Sequence, residues 1–133
     1  MTDLYDNIPD DQSRKLKVLI AEDDRISQML LATITQRIVK EFIKVTTGPE
    51  AVEACRYNPD IDLILMDIKM PQMDGYEATR QIRKFNKDVA IIAQTAYGMA
   101  GEKAKAIRAG CNDYIAKPVN PALLIKKIKS ILT

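Results

Sequence analysis

Histidine is absent from this chain of 133 residues. That excludes a Ser-His or Cys-His catalytic pair within the chain and most zinc-site patterns. Cysteine is scarce. Cys55 and Cys111 stand far apart, without CxxC spacing and among small or apolar residues, so buried free thiols are expected rather than a disulfide. Neither sign of charge is in large excess, and a net charge of +2 is too small to argue for a nucleic acid or an anionic membrane as partner. No apolar run approaches the length of a membrane span, and the first residues are acidic rather than signal-like. A cytoplasmic protein, or the cytoplasmic end of a larger one, is the expectation. What remains is an ordinary globular composition, 47% hydrophobic and 29% charged, at a length that suits one domain.

Residues 1–15 carry Asp3, Asp6, Pro9, Asp10 and Asp11 with little apolar pattern and read as a tail or linker; residues 16–133 read as the domain. Five short apolar runs follow: Val18–Ala21, Phe42–Val45, Leu63–Met66, Val89–Ala93 and Asp113–Ala116. Near-continuous runs of this length fit strands of a parallel sheet buried on both faces. Between them lie helical spacings: Ile26, Met29, Leu30, Ile34 and Ile38; Ala78, Ile82 and Phe85; Ala100, Ala104 and Ile107; and Pro121, Leu124, Ile125, Ile128 and Leu132. A weaker set, Ala51, Val52 and Cys55, predicts a short second helix. Gly110 stands where a left-handed cap belongs. Alternating strands and helices predict a doubly wound α/β domain, with the strand order left open.

Ligands of such sheets bind beyond the carboxyl ends of the strands. There the sequence places Glu22, Asp23 and Asp24 after the first run, Asp67 after the third, Gln94-Thr95-Ala96 after the fourth and Lys117-Pro118 after the fifth. Acids grouped so closely repel one another unless a cation joins them, and Mg2+ suits hard oxygen ligands of this kind. With Mg2+ and Lys117 offsetting charge, a remaining carboxylate could attack phosphorus; phosphoryl transfer asks for little beyond in-line positioning and neutralisation. Taken singly, these residues have plainer readings. Asp24 and Ser27 suit a helix cap, Asp74-Gly75 a turn, Thr95 a strand end and Lys117 a solvated surface. Their convergence on one rim favours chemistry.

The motifs Val18–Asp23, Leu65–Gly75, Thr95-Ala96 and Tyr114–Pro118 resemble the receiver domain of two-component response regulators, over about Lys17 to Leu132. The resemblance implies a flavodoxin-like (βα)5 fold with strand order 2-1-3-4-5. It implies Asp67 as phosphoacceptor, and Mg2+ held by Asp23, Asp67 and the Lys69 carbonyl, with Glu22 acting through a metal-bound water. Thr95 and Lys117 would contact the phosphoryl group, and Tyr114 would be an aromatic switch turning inward as Thr95 moves. The Lys117-Pro118 bond would be cis. The donor would be a histidine kinase or a histidine phosphotransfer domain, since any phosphohistidine must come from outside this chain. Its own phosphorylation and dephosphorylation are the only reactions it would catalyse.

Glu22-Asp23-Asp24, Lys69-Met70-Pro71 and Tyr97-Gly98-Met99 are similar to receivers fused to hybrid sensor kinases, with a free-standing single-domain regulator as the alternative. A monomer, or a weak dimer formed on phosphorylation, is expected. No DNA-binding segment follows Thr133, so direct transcriptional output is not. Lys69 and Tyr97 depart from the best-known chemotaxis member. Neither is a good base for activating water, which predicts slow loss of the phosphoryl group, over hours. Two other classes share parts of the pattern. A flavodoxin-type cofactor binder would need a Ser/Thr/Gly-rich loop where Glu22-Asp23-Asp24 stands. A haloacid-dehalogenase-type phosphatase carries a second Asp two residues past the nucleophile, where this chain has Lys69. A purely structural interaction module is the remaining option.

Overall fold

The computed structural model describes residues 15–96 and 101–132. The strands are β1 Leu16–Ala21, β2 Val39–Val45, β3 Leu63–Asp67, β4 Ala90–Thr95 and β5 Asp113–Ala116. They form one parallel sheet in the order β2-β1-β3-β4-β5, the arrangement implied by the resemblance. Five helices connect or flank them: α1 Arg25–Thr35, α2 Gly48–Tyr57, α3 Gly75–Arg83, α4 Glu102–Ala109 and α5 Pro121–Leu132. A short 3-10 turn, Gln36–Ile38, leads from α1 into β2.

β1, β3 and β4 are apolar over nearly their whole length because helices cover both faces of the sheet. Side chains alternate between two cores. Leu19, Ala21, Ile64, Met66, Ile91 and Ala93 meet α2, α3 and α4 through Ala51, Cys55, Ala78, Ile82 and Ala106. Val18, Ile20, Leu63, Leu65, Ile92 and Ile115 meet α1 and α5 through Leu31, Ile34, Leu124 and Ile128. Both cysteines are buried free thiols, and burial pushes Cys55 up to about 12. Neither is therefore a nucleophile near neutral pH.

Two helical faces differ from expectation. On α1 the expected set divides: Ile26, Met29 and Leu30 lie on the wet side, at 77%, 59% and 47% exposure, while Ile34 faces the core with Leu31 and Thr35, and Ile38 is buried just past the helix. Both sets repeat at three to four residues, so spacing alone selects two stripes, and the sheet decides between them. On α4 the buried residues are Ala106 and Ala109, whereas Ala104 and Ile107 are exposed; Ala100 lies outside the described residues. Phe85 and Leu132 are likewise partly exposed. Gly110 has φ +114 and caps α4, as its position predicts. The expected tail lies outside the described residues, except Lys15. No helix among the described residues is long and apolar enough to cross a membrane.

Candidate functional site

Parallel strands deliver their carboxyl ends to one rim, and the rim gathers the acids. Asp67 closes β3 with its side chain nearly sealed from solvent. Glu22 follows β1, where its backbone N–H extends the ladder to the Val45 carbonyl, and its side chain is fully buried. Asp23 is exposed beside it. Glu22, Asp23 and Asp67 each offer a carboxylate oxygen within 4.8 Å of the others. Asp24 takes the plainer of its two readings: it is the α1 N-cap, accepting from the Ser27 N–H at 2.9 Å and the Ser27 hydroxyl at 2.7 Å. Those bonds hold its carboxyl below the ordinary aspartate value.

Lys117 reaches in from the end of β5. Its Nζ donates to Glu22 Oε1 at 2.9 Å and lies 3.2 Å from Asp67 Oδ1. The Lys117 N–H donates to the Thr95 carbonyl, prolonging the β4–β5 ladder, and the Lys117–Pro118 bond is cis. The Lys69 N–H donates to Asp67 Oδ1 at 3.3 Å, so the backbone after Asp67 curls around its carboxylate while the Lys69 side chain stays exposed. Thr95 is buried at the end of β4. Tyr114 is half-buried on β5, packed against the α2–α4 core, with the Lys127 ammonium 5.3 Å from its ring centroid.

The electrostatics follow from burial. Desolvation, then the adjoining Asp67 carboxylate, holds Glu22 above the ordinary glutamate value, against the pull of Lys117 and the Asp24 N–H. Burial alone would lower Lys117, but its hydrogen bond to Glu22 and its attraction to both acids outweigh that, and it lies above the ordinary lysine value. One ammonium thus serves a cluster of three carboxylates, meeting two of them directly. This donor set, all hard oxygen and short of positive charge, fits a divalent cation of the Mg2+ type.

The loop from Asp67 to α3 is held by close packing. The Gly75 N–H donates to the Ile68 carbonyl at 2.8 Å, and a Cβ at Gly75 would stand 2.3 Å from the Asp67 carbonyl oxygen. Asp74 caps α3 by accepting from the Glu77 N–H, so Asp74-Gly75 is turn and cap chemistry that also fixes the acceptor's loop. Sequence reasoning placed Glu22, Asp23, Asp67, Thr95 and Lys117 on this rim but missed its supports. It did not find that Gln28 Nε2 donates to the carbonyls of Glu22 and Val45, or that Tyr76 donates to Glu102 and joins α3 to α4. Nothing in residue spacing signals either contact. Tyr97, expected to border the site, lies outside the described residues.

A family model for the response regulator receiver domain matches residues 18–129. Among curated relatives, hybrid signal transduction histidine kinase I of Dictyostelium discoideum is 38% identical over 125 residues, covering 86% of this chain and 7% of that protein. The chain therefore spans only a small part of the length of the first curated relatives it matches, which are sensor kinases. Two solved structures align closely. One is the Saccharomyces cerevisiae receiver domain of Ssk1 in complex with the histidine phosphotransfer protein Ypd1: 37% identity, TM-score 0.80, 87% of this chain and 88% of that one. The other is the receiver domain of the Pseudomonas aeruginosa sensor histidine kinase PA1611, with magnesium coordinated in its active site cleft: 32% identity, TM-score 0.78, 89% of this chain and 98% of that one.

Proposed function

Since the chain belongs to the response regulator receiver family, we propose that it is a phosphorylation-activated switch in a phosphorelay, accepting a phosphoryl group on Asp67 from a phosphohistidine donor in a Mg2+-dependent reaction. The observation that carries this reading is the Asp67 carboxylate. It is buried at a strand end, held by Lys117 and the Lys69 N–H, and flanked by two further acids. In the transfer, an Asp67 carboxylate oxygen forms a bond to phosphorus as the phosphorus–nitrogen bond of the donor breaks. The electron pair leaves on the imidazole, which takes up a proton. Lys117 counters charge on the phosphoryl oxygens, and the Thr95 hydroxyl donates to one of them. Bound Mg2+, held by Asp23, Asp67 and the Lys69 carbonyl with Glu22 acting through a water, would supply the remaining neutralisation.

The absence of histidine means that the donor lies on another domain or protein. The wet face of α1 suits its docking: Ile26, Met29 and Leu30 form an exposed apolar stripe on the helix that begins right after the Asp23-Asp24 pair. The Ypd1 complex of the similar Ssk1 receiver supports a histidine phosphotransfer protein as partner. Resemblance to sensor-kinase receivers supports origin in a hybrid kinase, with residues 1–15 as linker, residues 16–133 as receiver, and a cytoplasmic location. Output would pass through Thr95, whose movement on phosphorylation lets Tyr114 turn inward, a population shift of a few kcal/mol.

The test is phosphorylation by a small acyl phosphate with Mg2+, read by intact mass. Wild type should gain one phosphoryl group and Asp67→Asn none. An unchanged wild-type mass, or a labelled Asn variant, refutes the assignment.

A further inference from the structure

β4 ends in two buried polar residues, Thr95 and, before it, Gln94. Ala90, Ile91, Ile92 and Ala93 are all buried and apolar, and Gln94 follows at 2% exposure. Its side-chain Nε2 is sealed from solvent and has no hydrogen-bond partner among the described residues. A buried amide donor left unpaired disfavours the fold, and natural structures hold few of them. A Leu or Met would fill the same volume without that penalty, so fold stability does not explain the residue.

Its position does. Gln94 pairs in register with Asp67 on β3 and with Ile115 on β5. Register partners in parallel strands project on the same side of the sheet, and alternation fixes which side. Ala90 and Ile92 on β4, and Leu63 and Leu65 on β3, face the core beneath α1 and α5, so Gln94 and Asp67 both face that way. Ile115 flanks Gln94 on its other side, and Ile92 and Leu65 lie one step down. Asp67 is therefore the polar residue paired in register with Gln94 on this face of the sheet, and it is an acceptor. The Gln94 carbonyl also accepts from the Ile68 N–H at 3.1 Å, tying the same residue to the start of the loop after Asp67.

We infer that Gln94 is a positioning residue for phosphoryl transfer: its buried side-chain amide donates to the Asp67 carboxyl group as that group takes up the phosphoryl charge. The inference rests on Asp67 being the acceptor. In the resting site Asp67 Oδ1 already has one donor, the Lys69 N–H, and an ion-pair partner in the Lys117 ammonium at 3.2 Å. On phosphorylation the ammonium is shared with the phosphoryl oxygens, and the amide takes its place at the carboxyl oxygen that does not carry phosphorus. The unpaired donor of the resting state becomes a paired donor in the phosphorylated one, which biases the switch toward phosphorylation.

The experiment compares wild type, Gln94→Met and Gln94→Leu for four quantities: melting temperature, Mg2+ affinity, beryllofluoride affinity in saturating Mg2+, and rate of phosphorylation by a small acyl phosphate. Asp67→Asn serves as the unlabelled reference. Both Gln94 variants should melt at or above the wild-type temperature and bind Mg2+ as wild type does. Beryllofluoride affinity and phosphorylation rate should fall about tenfold, the scale of one charge-assisted hydrogen bond. A purely structural amide would lower the melting temperature and leave both functional readouts alone. That result overturns the inference, as does wild-type beryllofluoride affinity in folded variants or loss of folding in both. No uptake by wild type itself refutes the acceptor assignment instead, and the premise falls with it.

Discussion

Lys117→Met is the sharpest probe of the site's electrostatics. The side chain keeps its flexible apolar stem and loses its charged tip, leaving Glu22 and Asp67 buried side by side without the ammonium that bonds one at 2.9 Å and faces the other at 3.2 Å. Removing one partner of a fully buried ion pair costs roughly 3–5 kcal/mol. Lys117 is 34% exposed, and solvent screens part of the effect, so about 2 kcal/mol is the expected loss at pH 8. For a domain of this size that lowers Tm by about 6–8 °C. The loss should depend on pH. Glu22 already lies above the ordinary glutamate value in wild type, and without Lys117 it rises further. A carboxyl raised on folding stabilises the folded state below its unfolded pKa, and that contribution disappears as pH climbs through the raised folded value. The variant should therefore approach wild-type stability near pH 4.5 and fall away toward pH 8, and Mg2+ should restore much of the difference. Urea unfolding followed by circular dichroism at both pH values, with and without Mg2+, reads all of this. A deficit equal at the two pH values would refute the account, because it would make Lys117 a packing residue and not the counter-charge of a strained acid pair.

Three other expectations follow from the same geometry. Saturating Mg2+ should raise Tm by the linkage relation, worth about 2.7 kcal/mol at a hundred times Kd, and Asp23→Ala should abolish the response; calorimetry with and without the ion decides. Gly75→Ala should destabilise the domain by about 3 kcal/mol, since the new methyl meets backbone atoms of Asp67 and Ile68 that cannot turn aside, and denaturant titration with wild-type stability would contradict this. The phosphorylated form should persist for hours, with Tyr97→Ala shortening its life and Lys69→Asn having the smaller effect because the Lys69 side chain is exposed; decay of the phosphorylated mass over time measures it.

The rim was legible in the sequence because strand ends are legible. An apolar run that stops at Asp67, and others followed by Glu22-Asp23 and Lys117, mark positions that a parallel sheet must bring together. Residue order alone did not give the strand order; that came from the motifs. Helix faces were harder to read. Ile26, Met29 and Leu30 have the spacing of a core stripe, and so do Leu31 and Ile34. Periodicity reports that a helix is amphipathic but cannot say which of two apolar stripes faces the sheet and which faces solvent. The contacts of Lys17 were also invisible. Its ammonium binds Asp60 at 3.0 Å and Asn58 at 3.2 Å at the opposite end of the sheet, a tie made across forty residues of chain.

The residues that sit worst with folding alone fall at one end of the molecule. Glu22 is an acid buried against another acid, and Asp67 is sealed beside it with a single ammonium between them. Gln94 is an amide buried without a partner on the same face. Each would be improved, for stability, by an apolar or neutral residue of similar volume. At the opposite end, where the strands begin, Lys17 meets Asp60, Asn58 and Glu41, a cation matched by acceptors around it. Polar burial is thus satisfied at one end of the sheet and left in deficit at the other. Under the proposed function both would be answered together: a divalent cation would offset the deficit of positive charge, and a phosphoryl group on Asp67 would engage the surplus donor. The resting site would then be destabilised in the direction that phosphorylation relieves, so that a few kcal/mol at Asp67 would suffice to move a switch.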